Sequence, residues 1–408
     1  MTTRAIRQAV VLVGGRGTRL GALTRDVPKP LLPIAGERPF LDYLLETIER
    51  HGYEEILLLA GHLGDRVEEL YAGRRIGGAR IEVLREPMPL GTGGALTVAR
   101  DRLDDLFLMM NGDALFDINL RALEQAARES GALATLALRA VPDAARYGRV
   151  IAEGGRVTAF LEKDPSHAGP GLINGGVYVL RREILDLVDA LPCSIEQRIF
   201  PELVARGEIV GREFDGYFLD VGLPETLEQG HRELPATRIR PAAFLDRDGV
   251  INVDSGYTHR PEDLRFIPGA ARAIRRLNDL GWWVFVVTNQ AGVARGYYGL
   301  ADVALFHREM QARLAEEGAH VDRFYVCPFH PDGVVPEFTG DHADRKPNPG
   351  MLLRAMEEWR VDRDRSFLVG DMPTDVEAAR RAGVRGILFE GGDLEVRIDE
   401  ILSDAPGR

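Results

Sequence analysis

Apolar residues recur along the chain with two alternating periods. Near the start, Ala9 to Val13 form a continuous apolar run ending on two glycines, the pattern of a strand buried on both faces. In "PFLDYLLETIERHG" the positions Phe40, Leu44, Leu45 and Ile48 have helical spacing and Gly52 stops them, which predicts an amphipathic helix. "EEILLLAG" and "FLMMNGD" read as further buried strands. This is the punctuation of an α/β fold. The rhythm lapses over "ELPATRIRPAA", residues 233 to 243, and a new strand-loop-helix cycle opens at Ala242. Two domains are therefore expected, residues 1–235 and 241–408. In the second, "WWVFVVTNQ" and "RSFLVGDMPTD" repeat one theme, an apolar strand running into polar residues. Open parallel sheets bind ligands at the carboxyl ends of their strands, so chemistry is expected at those endings.

Composition narrows the function classes. The 408 residues are 45% hydrophobic and 28% charged with 45 glycines, as in a globular α/β protein. A net charge of −12 argues against nucleic acid as a partner, because that binding relies on Lys and Arg neutralising phosphates. Small anionic substrates still fit, since Arg16, Arg19 and Lys29 share one short segment and Arg345 adjoins Lys346 in another. No apolar stretch is long enough for a membrane span. Two distant cysteines, Cys193 and Cys327, exclude a disulfide framework. A cytoplasmic location is expected, with no membrane partner and with a homo-oligomer left open.

The first strand leads into "LVGGRGTRLGALTRDVPKPLLPI", residues 12 to 34. Glycines Gly14, Gly15 and Gly17, followed by Thr18, let backbone N–H groups approach a phosphate, and Arg16, Arg19 and Lys29 supply positive charge. No Gly-Lys-Ser/Thr closes a Walker A loop, and Leu20 stands where a dinucleotide fingerprint needs glycine. Three basic residues suit a triphosphate. The segment resembles the signature of sugar-1-phosphate nucleotidyltransferases, and the resemblance extends over roughly residues 7 to 232. "EPMPLGTGGAL" resembles the base-contacting segment of guanylyltransferases for mannose-type sugars, with Gly91 and Thr92; "NGDALF", "FLEKD", "INGGVYVL" and "FLDVGLPE" follow in family order. The resemblance implies a Rossmann-like, glycosyltransferase-A-like domain. In it Asp113 and Asp220 hold Mg²⁺, Arg19 and Lys29 grip phosphates, Lys163 faces the sugar phosphate, and Glu162, Asn174 and Gly175 bind nucleotide or substrate. A phosphate oxygen attacks the NTP α-phosphorus directly, so such catalysis is positioning and charge neutralisation.

"FLDRDGVIN" places Asp246 and Asp248 one residue apart at the end of a strand. Two such carboxylates make sense if one attacks phosphorus and the other handles a proton, with a cation between them. "DRDGV", "VVTNQ", "RKPNPGM" and "VGDMPTD" resemble, in order, the four motifs of haloacid-dehalogenase-type phosphatases, a Rossmannoid fold. The resemblance implies that Asp246 is the nucleophile and Asp248 the acid and base. It also implies that Thr288 and Asn289 bind the phosphoryl group, with Lys346 and Arg345 neutralising it. Asp246, the Asp248 carbonyl and Asp371 would hold Mg²⁺, supported by Asp375. From residue 242 to about 390 the chain closely resembles D-glycero-D-manno-heptose 1,7-bisphosphate phosphatases, with histidinol-phosphatase domains as the competitor.

That family commonly carries a Cys-x-His, Cys-x-Cys zinc loop. Here Cys327 remains, Phe329 holds the His position, and His342 and Asp344 replace the later cysteines. A metal-free substrate loop is expected over zinc held by Cys327, His330, His342 and Asp344. Together the resemblances imply a bifunctional enzyme that removes the 7-phosphate of heptose 1,7-bisphosphate and couples heptose 1-phosphate to a nucleotide, GTP before ATP. The alternatives are a mannose-1-phosphate guanylyltransferase fused to another phosphatase, and a nucleotide-sensing regulatory protein.

Overall fold

The computed structural model describes residues 5–404 apart from Arg16, Arg146, Gly148 and 162–168. The chain divides into two compact units, Ile6–Thr237 and one built from Arg238 onward.

The N-terminal unit centres on a ten-stranded mixed sheet. One part of it is parallel: Ala79–Arg85, Glu55–Ala60, Gln8–Leu12 and Leu106–Asn111 are neighbours in that order. The expected helix is Phe40–Arg50, and its buried positions include Phe40, Leu44, Leu45 and Ile48. The sheet then turns antiparallel through the long strand Gly171–Arg181, which pairs with both Leu106–Asn111 and Ala134–Val141. Apolar clusters line both faces, one carrying Val11, Leu58 and Met110 and the other Val10, Leu57 and Met109. That alternation explains why these strands read as unbroken apolar runs. A separate two-stranded ribbon pairs Ala114–Asp117 with Tyr217–Asp220.

The helix Pro224–Thr237 runs through the stretch expected to be irregular, with Pro235 inside it. Leu227, Gly230 and Leu234 are buried along one face, and this stripe outweighs one late proline. The next strand likewise starts before Ala242, at Arg240, where Arg240 and Pro241 pair with Val361 and Asp362.

The C-terminal unit is a five-stranded parallel sheet in the order Arg323–Cys327, Trp283–Asn289, Arg240–Leu245, Val361–Gly370, Arg385–Leu388. Helices cover both faces, with apolar clusters around Ile274 and Leu314 on one and Leu352 and Ala379 on the other. Three neighbouring strands end at Leu245, Asn289 and Gly370, which brings three of the sequence motifs to one edge.

Candidate active sites

In the N-terminal unit the ribbon sets two carboxylates side by side. Asp113 lies in the turn after Leu106–Asn111, and Asp220 ends its strand opposite Ala114. The Val221 N–H donates to the Asp113 carbonyl at 3.0 Å, locking the two backbones together. Lys29 is buried, and its ammonium reaches Asp113 at 2.5 Å and Asp220 at 3.7 Å. Burial pushes the Asp220 carboxyl above its ordinary range and Asp113 adds to this, while Lys29 and Arg19 oppose it. One ammonium thus serves two carboxylates. Mg²⁺ fits such a pair, because it takes one or two carboxylates and completes its shell with substrate phosphates and water.

Around this pair the predicted residues separate by what they touch. Gly15 is exposed on the loop after the first strand, and Thr18 and Arg19 are exposed at the start of the 3-10 helix Thr18–Thr24 that follows. A methyl group on Gly14 would lie 2.6 Å from Glu86 Oε1 and 3.1 Å from the Gly61 nitrogen, so glycine leaves the room that the carboxylate occupies. Glu86 follows its own parallel strand, accepts the Leu90 N–H at 3.0 Å, and is pushed upward in pKa by burial. Glu86 opens the segment "EPMPLGTGGAL", in which only Gly91 and Thr92 were expected to bind; a carboxylate heading a glycine-rich segment is the available signal. Gly91 packs on the Cys193 carbonyl, and Thr92 donates to Glu196 at 2.7 Å, so both brace the segment from behind. The Asn174 amide donates to Tyr178 at 2.8 Å and its oxygen accepts the Gly176 N–H at 3.0 Å. Gly175 lies against the Phe116 ring. Arg16, Glu162 and Lys163 lie outside the described residues.

In the C-terminal unit Lys346 is the hub. It is buried, with its ammonium 2.9 Å from Asp246, 2.6 Å from Asp375, and donating to the Val287 carbonyl at 2.9 Å. Burial alone would lower the Lys346 pKa, but Asp246 and Asp375 carry it upward. Burial raises the Asp246 and Asp371 carboxyls, and Asp375 adds to both shifts. Ligand atoms of Asp246, Asp371 and Asp375 lie within 4.8 Å of one another. Three carboxylates this close, two of them sharing one ammonium, fit a hard divalent cation such as Mg²⁺. Gly249, at φ +83°, lets them close up, since a methyl group there would sit 2.3 Å from Asp371 Oδ2.

Asp248 is held entirely by donors. Arg247, fully buried, gives it bonds of 3.1, 2.8 and 2.5 Å; Asn252 and Gln290 each add one at 2.9 Å. Asn289 exchanges hydrogen bonds with the Lys346 backbone in both directions at 3.1 Å, so its amide fixes the lysine loop. Arg345 donates to the Phe329 carbonyl at 3.0 Å. In the same loop the Phe329 and His342 rings stack at 4.1 Å, Asp344 pairs with Arg354 at 2.7 Å, and burial raises the Cys327 thiol pKa. Cys327, His330, His342 and Asp344 form no metal-ligand group among the described residues.

Comparison with known proteins agrees with this division. A nucleotidyl transferase family model matches residues 8–237 and a HAD-hydrolase-like model residues 343–402. The C-terminal part is 48% identical over 163 residues to D-glycero-beta-D-manno-heptose-1,7-bisphosphate 7-phosphatase of Rhodopseudomonas palustris, covering 40% of this chain and 91% of that one. The N-terminal part is 34% identical over 229 residues to D-glycero-alpha-D-manno-heptose 1-phosphate guanylyltransferase of Aneurinibacillus thermoaerophilus, covering 56% and 98%. The crystal structure of HddC from Yersinia pseudotuberculosis superposes with a TM-score of 0.51 at 28% identity over 56% of this chain and all of that one. The same protein complexed with GMP-PN gives 0.51 at 27% over the same share of this chain and all of that one. The chain belongs to the nucleotidyl transferase family through its N-terminal unit, and its C-terminal unit is a HAD-like phosphatase.

Proposed function

We propose that the two units catalyse consecutive steps on one sugar. The C-terminal unit hydrolyses the 7-phosphate of D-glycero-D-manno-heptose 1,7-bisphosphate. The N-terminal unit then joins the heptose 1-phosphate to GMP from GTP, releasing pyrophosphate. The observation that carries this reading is that a single chain spans nearly the whole of two relatives named for those steps. The two relatives differ in anomer, β for the Rhodopseudomonas palustris phosphatase and α for the guanylyltransferase. The α anomer is assigned because the second step must accept the product of the first, and a 41% identical phosphatase of Photorhabdus laumondii is named for it.

In the phosphatase, an Asp246 oxygen attacks phosphorus as Asp248 gives a proton to the departing sugar oxygen. Asp248 next takes a proton from water, which attacks the aspartyl-phosphate, frees phosphate and restores both groups. Lys346 offsets the charge of the transferring phosphoryl group, and Thr288 donates to one of its oxygens. Mg²⁺ held by Asp246, Asp371 and the Asp248 carbonyl would supply further positive charge, with Asp375 behind it.

In the transferase no protein nucleophile is required. Arg19 and Lys29 hold phosphates, and Asn174 with the glycine strand beside it faces the sugar phosphate. Mg²⁺ at Asp113 and Asp220 would neutralise the triphosphate. GTP is favoured over ATP by Glu86. Its carboxylate at Gly14 can accept both N–H groups of the guanine edge, whereas adenine offers that edge an acceptor.

Both cysteines are free thiols, in keeping with a cytoplasmic enzyme, and among the described residues no helix is long and apolar enough to cross a membrane. The reading is tested by offering purified protein each anomer of the bisphosphate with GTP or ATP. Release of phosphate, pyrophosphate and GDP-heptose from the α anomer is expected, and absence of nucleotide-sugar from every combination would refute it.

A further inference from the structure

We infer that Gln290 is a positioning residue for the phosphatase, holding the proton-transfer carboxylate Asp248 and the phosphate-binding hydroxyl Thr288 in one rigid frame. Gln290 is 1% exposed and sits immediately after the strand that ends at Asn289. Its Nε2 donates to Asp248 Oδ2 at 2.9 Å and to Thr288 Oγ1 at 2.9 Å, so one amide group joins two motifs far apart in sequence. The orientation of that amide is fixed from the other side, where the Tyr298 hydroxyl donates to Gln290 Oε1 at 2.8 Å. Turned over, the amide would set a carbonyl oxygen against the Asp248 carboxylate and lose both donor bonds. Tyr298 is itself pinned, with its ring stacked on His259 at 4.3 Å and a second edge against Gly292. The Gln290 backbone N–H is anchored on the Cys327 carbonyl at 2.8 Å.

The arrangement has two chemical consequences. By donating to Thr288 Oγ1, Gln290 occupies a lone pair of the hydroxyl and leaves its hydrogen to point toward a phosphoryl oxygen. On Asp248 Oδ2 it joins one Arg247 bond, while Arg247 and Asn252 together hold Oδ1. Side-chain rotation of Asp248 would break bonds on both oxygens. Misplacing a general acid by a fraction of an ångström is costly, since proton transfer demands hydrogen-bond distance to the leaving oxygen.

This inference rests on Asp248 acting as the acid, and the test separates the two. Steady-state kcat/KM, which reports through the first phosphoryl transfer, is measured for an alkyl substrate, heptose 1,7-bisphosphate, and for p-nitrophenyl phosphate, whose leaving group needs little protonation. In Gln290→Leu the alkyl value should fall about tenfold or more beyond the aryl value. Tyr298→Phe, which keeps the ring and removes only the bond orienting the amide, should show the same split to a lesser degree and guards against loss of folding in the first variant. Asp248→Asn should show the split at its largest. Equal losses on both substrates in Gln290→Leu and Tyr298→Phe, with the split intact in Asp248→Asn, would overturn the positioning role. No split in Asp248→Asn would instead overturn the acid assignment beneath it.

Discussion

The Lys346 ammonium lies 2.9 Å from the Asp246 carboxylate in a buried pocket, and it reaches Asp375 as well. A single cation therefore compensates two carboxylates that burial disfavours. Lys346→Met should cost about 3–5 kcal/mol of stability, the usual result of leaving a buried charge without its partner. It should also lower phosphatase kcat by about a hundredfold or more. Added Mg²⁺ should raise the variant's Tm by more than the wild type's, because the metal then supplies the missing positive charge. Thermal denaturation with and without Mg²⁺ checks this, and an unchanged Tm in metal-free buffer would contradict it.

Asp113 stands in the corresponding relation to Lys29. Asp113→Asn keeps the shape and removes one of the two charges offered to the metal-bound triphosphate. Nucleotidyl transfer should drop by about a hundredfold or more, with phosphate release close to the wild-type rate. Measuring pyrophosphate and phosphate release on the same preparation decides the matter. Transfer surviving at saturating Mg²⁺ and GTP would remove Asp113 from the site.

Glu86→Gln tests the base assignment in two ways. An amide can accept from guanine through one oxygen only, so kcat/KM for GTP should fall about ten- to a hundredfold and the preference over ATP should narrow. The stability effect has a definite sign. Burial raises the Glu86 pKa in the folded state, so the native protein holds this proton more tightly than the unfolded chain. The stability associated with protonated Glu86 is complete below the unfolded pKa and is lost as pH rises through the folded one. Glutamine does not titrate, so the variant's Tm should match wild type in acid and exceed it near neutrality. A Tm difference that does not change with pH would count against a half-buried carboxylate at Gly14.

The strands and the strand-end carboxylates were legible in the sequence for a common reason. A parallel strand buried on both faces is a continuous apolar run, and a charge ending that run has few structural uses, as Asp246, Asp371 and Asp113 illustrate. Less legible was the antiparallel half of the N-terminal sheet, because Gly171–Arg181 has no period that distinguishes it from a parallel strand. The helix across residues 233 to 237 was hidden by Pro235, though Leu234 continues the buried stripe. Glu86 and Gln290 were missed because their work depends on neighbours distant in sequence, Gly14 and Asp248.

The loop bearing Phe329 supports a prediction about metal. The His342 ring is stacked on Phe329 and the Asp344 carboxylate is engaged by Arg354, so neither is presented with Cys327 as a ligand. Protein purified without added metal should contain less than about a tenth of a zinc per chain, well below the full occupancy of a structural site. Phe329→Ala removes the ring stacked on His342 while keeping the backbone carbonyl that Arg345 binds; the loosened loop should raise KM for phosphatase substrates more than it lowers kcat. Elemental analysis and steady-state kinetics measure both, and about one tightly held zinc per chain would contradict the first.

The most direct test of consecutive action is a single time course on Asp246→Asn. Asparagine is nearly isosteric with aspartate but cannot form the aspartyl-phosphate, and residue 246 belongs to the C-terminal unit. With α-heptose 1,7-bisphosphate and GTP, wild-type protein should release phosphate and accumulate GDP-heptose, whereas the variant should do neither. Supplying α-heptose 1-phosphate should restore GDP-heptose formation by the variant to the wild-type rate. Equal production of the nucleotide-sugar from the bisphosphate by wild type and variant would mean that the 7-phosphate need not leave first, and would contradict the proposed order.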